Sequence, residues 1–468
     1  MSLPNQIHPF HVVGAGSQYQ VARSLRFRKS NSAYLSRTPS GAGNRQTWTW
    51  SGWVKFASIV STDYPTLFMG GATQSDTGAL RIGIGTNNLV VQGYNTNFIV
   101  SSQVFRDPSA WYHILIAFDT TQATASNRLK AYVNGTQITA FGTDNRASLT
   151  QNTNYGINQA ALHRIGYESA TFGSTYSDFY LGEINFIDGQ ALTPSSFGTT
   201  DSVTGAWIPT RYTGTYGTNG FYLPFSDNSG ATATTIGKDS SGNGNNWTPS
   251  GISVTAGTTN DSLVDSPTSY GSDTGVGGEV RGNYCTINPL RKSASIAISN
   301  GNLYIDGNSG SVQWESIAST FLVKTGKWYF EFLVSSTYAA GNHMVGLARE
   351  DVNWSSSGQH YLTENSATGK ALDQNSTTND VVCVAFDMDL GYAWGTRNAS
   401  LGTNPTNGLS PDATFSTAYY WGPAFSMVCG RNNTGWANFG QRPFAYTAPS
   451  GFKALCTQNL PTPTIGLY

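Results

Sequence analysis

Three polar side chains in the segment 180–192 have the types and spacing of a hydrolytic site: Glu183, Asn185 and Asp188. Two carboxyl groups held about 5 Å apart can act as nucleophile and general acid in glycoside hydrolysis. Residues i and i+2 of a strand share a face, so Glu183 and Asn185 point the same way, and Asp188 joins them only through a bulge. Because Asn185 is an amide and cannot hold charge beside a nucleophile, the segment favours an ordinary strand over a catalytic one.

No other catalytic set can be assembled from the sequence. The six histidines are scattered at positions 8, 11, 113, 163, 343 and 360, without a Ser/His/Asp or Cys/His arrangement. His113 lies in an alternating strand pattern, where a hydrogen-bonded structural role is expected. The glycine-rich segments precede no helix, so they are not phosphate-binding loops. We therefore predict that the protein is not an enzyme and has no catalytic residue.

Composition indicates a folded chain with a surface poor in charge. The 468 residues exceed one core, and only 11% are charged against about 25% in a typical domain. The formal net charge is −1 without a long basic run, so no nucleic-acid partner is expected. We expect neither a signal peptide nor membrane insertion, because apolar segments of the required length are missing. The four cysteines fit no zinc or redox spacing.

Short alternating segments separated by Gly, Asn, Ser and Thr recur along the chain, and helical periodicity is almost absent. Segments 47–54 and 111–118 are examples, and segment 129–133 is closed by Asn134-Gly135, the strongest short hairpin signal. Many short strands at this spacing predict an all-β fold of antiparallel sandwiches. The pattern weakens from about 199 to 285, which predicts a Gly/Thr/Asn-rich connector packed on its neighbours.

Residues 25–198 resemble the laminin-G/pentraxin-like jelly roll, which has the concanavalin A-like fold. The resemblance is carried by 50–54 (WSGWV), 111–119 (WYHILIAFD), 129–135 (LKAYVNG) and 180–193 (YLGEINFIDGQALT). Residues 300–456 resemble a SPRY-like domain through 326–332 (GKWYFEF), 345–348 (VGLA), 380–389 (DVVCVAFDMD) and 438–444 (NFGQRPF). The two resemblances imply two concanavalin A-like antiparallel β-sandwiches in one chain.

The combination of segments resembles virion proteins of tailed bacteriophages, through 26–37 (RFRKSNSAYLSR), 216–230 and 239–249. This resemblance implies a non-enzymatic structural protein of the virion, such as a head or tail fibre or a decoration protein. We expect it to be a homo-oligomer attached to other virion proteins by an extended N-terminal arm. The expected organisation is an arm at 1–24, a jelly roll at 25–198, a connector at 199–299, a SPRY-like sandwich at 300–456 and a tail at 457–468.

Two kinds of binding site are compatible with these resemblances. Relatives of the first jelly roll often bind calcium through loop carboxylates, which makes Asp178 and Asp188 candidate ligands and Ca²⁺ the only cofactor considered. Lectin sites stack an aromatic ring on a sugar, so a carbohydrate-binding adhesin for host-surface glycan is the alternative function, and a glycan hydrolase is a further one. The candidate carbohydrate-binding residues are Tyr64, Tyr94, Tyr176, Trp354, Tyr361 and Trp436.

Overall fold

The computed structural model of the protein describes residues 19–57, 65–71, 73–169, 172–202, 204–352, 362 and 367–461. The strands of the first half are β1 (Ser24–Phe27), β2 (Tyr34–Arg37), β3 (Thr47–Phe56), β4 (Thr66–Gly71), β5 (Ala79–Gly85), β6 (Asn88–Gln92), β7 (Asn97–Val104), β8 (Trp111–Asp119), β9 (Leu129–Val133), β10 (Thr136–Gln137), β11 (Phe141–Asp144), β12 (His163–Ile165), β13 (Phe179–Asp188), β14 (Gly198–Thr200), β15 (Trp207–Pro209), β16 (Phe221–Leu223), β17 (Thr248–Ser250) and β18 (Ser262–Leu263).

The second half continues with strands and one short helix. Its strands are β19 (Ile287–Lys292), β20 (Ala297–Ser299), β21 (Tyr304–Asp306), β22 (Gln313–Ser319), β23 (Lys327–Ser336), β24 (His343–Arg349), β25 (Gly369–Asp373), β26 (Val381–Asp387), β27 (Tyr392–Arg397), β28 (Ala413–Thr414), β29 (Trp421–Cys429), β30 (Thr434–Asn438) and β31 (Lys453–Ala454). The α-helix is α1 (Asn404–Asn407), and 3-10 turns occupy Lys29–Asn31, Ala125–Asn127, Arg146–Ser148, Pro194–Ser196 and Thr457–Asn459.

The first sandwich consists of two antiparallel sheets. Sheet A has the order β10-β9-β8-β3-β13-β1-β18, with β16 also paired to β13, and sheet B has the order β11-β7-β6-β5-β4-β12-β2-β17. The inner faces of both sheets meet in one core that includes Trp50 and Ile116 of sheet A and Leu80 and Val91 of sheet B. Pairing of distant antiparallel strands around one core is the jelly-roll-type architecture that the strand pattern predicts.

The second sandwich is built in the same way. Sheet C has the order β19-β22-β29-β24-β25, and sheet D has the order β20-β21-β30-β23-β26-β27-β28, with β31 added parallel to β23. Phe330 and Phe332 of β23 face Phe425 of β29 across this core, and the centroids of the Phe332 and Phe425 rings are 4.7 Å apart. The prediction of an all-β fold with two antiparallel sandwiches is therefore confirmed.

Strand β3 shows why sheet A is buried on both faces. Trp50 and Val54 enter the core of the first sandwich, whereas Trp53 belongs to the core of the second one. Lys55 also faces the second sandwich, where its ammonium group lies 2.8 Å from the Asp265 carboxylate. A strand covered on both faces reads as a nearly continuous buried segment, as β3 does from its second residue onward.

Buried charges join the two sandwiches. The Asp261 carboxylate accepts hydrogen bonds from Arg26 at 3.1 Å and Arg28 at 2.7 Å, and the Asp261 and Arg26 side chains are fully buried. The same Arg26 guanidinium reaches the second sandwich, where its Nη1 donates to the Asn300 carbonyl at 3.2 Å. On the other side of β1, Trp111 donates its indole N–H to Asp265 at 3.1 Å. Because removing one member of such a network leaves the others buried and unpaired, these contacts hold the sandwiches in one arrangement.

Residues 199–299 contribute strands to both sandwiches. Strand β16 pairs with β13, β17 pairs with β2 and β18 pairs with β1, while β19 and β20 belong to sheets C and D. Just before β1, Val21 is fully buried and donates its backbone N–H to the Thr268 hydroxyl. The expected boundary between residues 24 and 25 falls inside β1, so residues 19–24 pack on the body of the protein.

The structure also shows the state of the cysteines and the character of the helices. The four cysteines are free thiols, and all are buried, as expected for Cys383. Within the described ranges, no helix has the length and apolar character needed to cross a membrane.

Candidate functional site

Strand β13 contains a bulge at the position of the suspected hydrolytic motif. Glu183 and Ile184 together lie opposite Gly52 of β3, because the register shifts between Gly182 and Asn185. Glu183 has a φ angle of +53°, which is uncommon for a residue with a Cβ atom. The extra residue lets Ile184 enter the inner core while Glu183 points to the outer face of sheet A.

The Glu183 carboxyl group is enclosed by tyrosines. The hydroxyl groups of Tyr19 and Tyr222 lie 2.5 and 2.8 Å from its oxygens, and Glu183 is only 5% exposed. The Arg211 guanidinium stacks on the Tyr222 ring at 3.7 Å from the ring centroid. Burial raises the pKa of Glu183 to about 7, although both tyrosine hydrogen bonds and Arg211 oppose that shift. The carboxyl group therefore lies beneath a protein cover and not in an open cleft.

Asp188 lies in a separate environment. Its Oδ1 accepts hydrogen bonds from the backbone N–H of Asn44 at 2.8 Å and from the side-chain amide of Asn158 at 2.6 Å. Its Oδ2 accepts the backbone N–H of Asn219 at 3.0 Å. By strand alternation after the bulge, Asp188 shares the face of Ile184, whereas Glu183 is on the opposite face. The motif therefore does not present paired carboxylates to one substrate.

Asp178, the other suggested calcium ligand, contacts the second sandwich. Its Oδ1 accepts the backbone N–H of Gly301 at 2.7 Å, and the Gly301 carbonyl accepts the hydroxyl of Tyr180 at 2.5 Å. In the part of the chain that the structure describes, no group of three His, Cys, Asp or Glu side chains could hold a metal ion. A calcium site at Asp178 and Asp188 stays a prediction, and both carboxylates already accept N–H donors.

His113 has the structural role that its strand position predicts. Its Nδ1 accepts the indole N–H of Trp207 at 3.0 Å, so its Nε2 donates to the Ser51 hydroxyl at 2.8 Å. Burial lowers the pKa of His113 to about 3, which keeps the ring neutral. Both ring nitrogens are therefore occupied by structural hydrogen bonds.

The candidate carbohydrate-binding aromatics that the structure describes belong to different elements of the fold. Tyr64, Trp354 and Tyr361 lie outside the described residues. Tyr94 is half-buried in the turn between β6 and β7. Tyr176 lies on the first sandwich and Trp436 lies on the second.

Tyr176 belongs to a group of three tyrosine rings on the outer side of sheet B. The rings of Tyr176 and Tyr167 stack with centroids 4.4 Å apart and an interplanar angle of 25°. The ring of Tyr34 lies 5.5 Å from that of Tyr167, and the Arg164 guanidinium lies 5.4 Å from the Tyr167 centroid. We call Tyr34, Tyr167 and Tyr176 the tyrosine cluster.

Sheet B positions the tyrosine cluster through strand alternation. Leu35 of β2 pairs with Ile165 of β12, and both side chains enter the inner core. Their neighbours Tyr34 and Arg164 therefore point outward. The three rings of the cluster are half-buried, and their hydroxyl groups form no hydrogen bond with any described residue. Rigid aromatic rings with free hydroxyls and a nearby guanidinium suit recognition of a polar ring compound.

Sequence reasoning identified Tyr176 but missed its partners. Tyr34 and Arg164 each precede an apolar residue in a short strand, and that alternation marks them as outward-facing. Their proximity follows only from the pairing of β2 with β12, which is not visible in a single sequence.

Trp436 lines a groove where the two sandwiches meet. Its floor is the outer face of sheet D, where Leu333 pairs with Trp436 and Glu331 pairs with Asn438. The groove has a volume of about 530 Å³, and Trp436 is half-buried in it, beside the Tyr304 ring at 4.8 Å. We call it the junction groove; its walls are residues 256–259 and 442–445.

These features define a protein of two joined antiparallel β-sandwiches with two aromatic surfaces. No protein-family model matches the chain, and no curated protein sequence matches it. Structures that it resembles include the SPRY domain of human HERC1, at 16% identity and a TM-score of 0.25, covering 32% of this chain and 96% of that one.

Two further solved structures give similar values. A heptameric SAP-like pentraxin from Limulus polyphemus is 12% identical with a TM-score of 0.29, over 41% of this chain and 94% of that one. A putative carbohydrate binding protein from Bacteroides ovatus is 15% identical with a TM-score of 0.32, over 50% of this chain and 59% of that one. The assignment of the fold rests on the sheet topology described above.

Proposed function

We propose that this protein is a non-enzymatic structural component of a tailed-bacteriophage virion that binds carbohydrate on the host surface. The tyrosine cluster carries the binding part of the proposal. Its rings are held on a rigid sheet, and their hydroxyl groups are free of protein partners among the described residues. A fibre or a decoration protein of the head or tail would present such a surface to a host cell.

Binding is favoured over hydrolysis because the suspected catalytic carboxyl group is enclosed. Glu183 is covered by Tyr19 and Tyr222, and Asp188 is hydrogen-bonded on the opposite face of the strand. A retaining glycosidase needs both carboxyl groups close together on either side of the scissile bond. The arrangement of this strand supports a scaffold role.

The virion part of the proposal is supported by how the virion-like segments pack. Segment 26–37 includes β2, and segment 239–249 reaches β17, which pairs with β2. Segment 216–230 includes β16, whose Tyr222 donates its backbone N–H to Asp239 at 2.9 Å. The three segments that resemble phage virion proteins therefore form one continuous part of the first sandwich.

We propose that the protein is a homo-oligomer and that its N-terminal arm attaches it to other virion proteins. Because Val21 and Ser24 are bound into the body, the deletion that tests this attachment removes residues 1–18 and not 1–24. The shortened protein should keep the melting temperature of the full chain and be missing from purified particles by immunoblot. Normal incorporation of the shortened protein would contradict attachment through the arm.

The glycan-binding proposal is tested on an array of bacterial surface glycans with the full-length protein. Tyr176→Ala removes one face of the tyrosine cluster and should weaken binding by about tenfold, equivalent to about 1.4 kcal/mol. Tyr338→Ala is the matched control, because Tyr338 is an exposed tyrosine of the second sandwich that contributes no ring to the cluster. Failure of the full-length protein to bind any glycan at millimolar concentration, or equal binding by Tyr176→Ala, would overturn the proposal.

A further inference from the structure

We propose that the junction groove is a second binding site and that it takes a sugar bearing a carboxylate. This inference rests on the proposed carbohydrate-binding function but concerns a different surface from the tyrosine cluster. Its basis is a buried cation, Arg442, that has no ion-pair partner among the described residues and lies beside the half-buried ring of Trp436.

Arg442 is a guanidinium group with unused hydrogen-bonding capacity. It is 5% exposed and lines the groove; its Nη2 donates to the Ala437 carbonyl at 3.0 Å, whereas its Nη1 has no hydrogen-bond partner among the described residues. Burial lowers the pKa of Arg442 to about 9, and the neighbouring Arg26 adds repulsion. A buried cation without a partner is costly, so an anion brought into the groove would be stabilised there.

The charged neighbours of Arg442 are engaged elsewhere. Arg26 pairs with Asp261. The Glu331 carboxyl group accepts the backbone N–H groups of Ala445 and Tyr446, each at 2.8 Å, and burial raises its pKa. Within the described ranges Arg442 forms no ion pair. Glu331 thus attracts Arg442 without forming a direct ion pair with it.

The rest of the groove fits a sugar ring better than a bare anion. Trp436 and Leu333 form an apolar floor on which the less polar face of a pyranose can stack. Thr258 and Thr259 are in the facing wall and carry hydroxyl groups, while their backbone carbonyls accept hydrogen bonds from Arg26 and Arg28. A volume of about 530 Å³ is within the range of small-molecule sites. An aromatic floor above a buried guanidinium group that lacks an ion pair suits a sugar ring with one negative charge, of the uronic-acid type.

The test compares oligogalacturonate with its methyl ester, which keeps the same ring and removes the charge. The full-length protein should bind the acid at least about tenfold more tightly than the ester by calorimetry. Arg442→Met should abolish that preference, and because it removes an unpaired buried charge, it should not lower the melting temperature. Trp436→Ala should weaken binding of both ligands, and it keeps the test decisive if Arg442→Met fails to fold.

The outcomes separate this inference from the proposed function. Tyr338→Ala is the matched control and should retain the preference for the acid, because Tyr338 is an exposed residue outside both the junction groove and the tyrosine cluster. Equal binding of acid and ester, a preference that persists in Arg442→Met, or equal affinity for a sulfated galactan would overturn the acidic-sugar site. If neutral glycans still bind in a Tyr176-dependent manner, the proposed function stands while the junction-groove site fails.

Discussion

The outer faces of the two sheets of the first sandwich differ in what covers them. The outer face of sheet A lies against the second sandwich through Trp53 and Tyr180 and against the segment that includes Tyr212 and Tyr216. The outer face of sheet B carries the half-exposed tyrosine cluster. The strand with the more suggestive polar motif is therefore buried on both sides. The proposed binding surface lies on the sheet whose motif is unremarkable in sequence. Coverage of a face, more than residue type, decides where a ligand can reach.

The largest expected effect concerns the charges that hold the cover on sheet A. Asp261→Ala leaves the buried guanidinium groups of Arg26 and Arg28 unpaired, so we expect unfolding free energy to fall by about 3 to 5 kcal/mol. Urea unfolding followed by tryptophan fluorescence measures this change. Asp144→Ala is the control: its side chain is 44% exposed and pairs with Arg146.

The control change should cost less than about 1 kcal/mol, as exposed ion pairs usually do. Comparable losses in Asp261→Ala and Asp144→Ala would mean that the buried pairs of Asp261 with Arg26 and Arg28 do not keep the outer face of sheet A covered. The contrast between the two sheets would then lose its basis.

The second prediction concerns the enclosed carboxyl group of Glu183. Its pKa is raised from 4.5 to about 7 by burial. Because the folded protein binds this proton more tightly than the unfolded chain, its stabilising contribution is complete below pH 4.5 and is lost as the pH rises to about 7. Relative to Glu183→Gln, which cannot ionise, the wild type should lose up to about 3 kcal/mol of stability across this window.

Urea titrations of both proteins at about pH 4.5, 6 and 8 measure that difference. Subtracting the unfolding free energy of Glu183→Gln from that of the wild type removes the contribution of other titrating groups. These include His113 and His163, whose lowered pKa values make stability rise with pH. A difference between the two proteins that stays constant with pH would show that Glu183 is open to solvent.

The smallest expected effect comes from removing one tyrosine hydroxyl from the outer face of sheet A and one from the outer face of sheet B. Tyr222→Phe removes a hydroxyl that is hydrogen-bonded to buried Glu183 and should cost about 1 to 3 kcal/mol. Tyr34→Phe removes a hydroxyl without a partner among the described residues, so stability should change by less than about 0.5 kcal/mol. Thermal unfolding of the two variants measures both, and a larger loss for Tyr34→Phe would reverse the comparison.

Much of the fold follows from local pattern. The segment 111–119 is strand β8, and 129–133 is strand β9. The turn after β9 has positive φ at Asn134 and Gly135, 47° and 80°, which is the reason that this pair signals a hairpin. These elements are long or closed by a specific turn, so their sequence alone specifies them.

Other parts of the molecule depend on contacts between distant segments. Strands β16, β17 and β18 have only two or three residues, which are too few to show alternation. Each forms because a strand of an existing sheet offers it backbone hydrogen-bond partners. The sequence shows that Asp188 could join Glu183 only through a bulge in β13, but it does not show whether or where that bulge forms. The tyrosine cluster likewise required the pairing of β2 with β12, and the unpaired guanidinium of Arg442 is visible only after folding.

The short strands of residues 199–299 also determine how the molecule can be divided. A fragment that ends at residue 198 would lack the partners of β1, β2 and β13, and it would leave Trp53 and Trp111 uncovered. Neither lobe is then a module that recombination or a protease could release intact. The smallest piece that can be transplanted to another scaffold as a folded unit is the pair of sandwiches together with the short strands of residues 199–299.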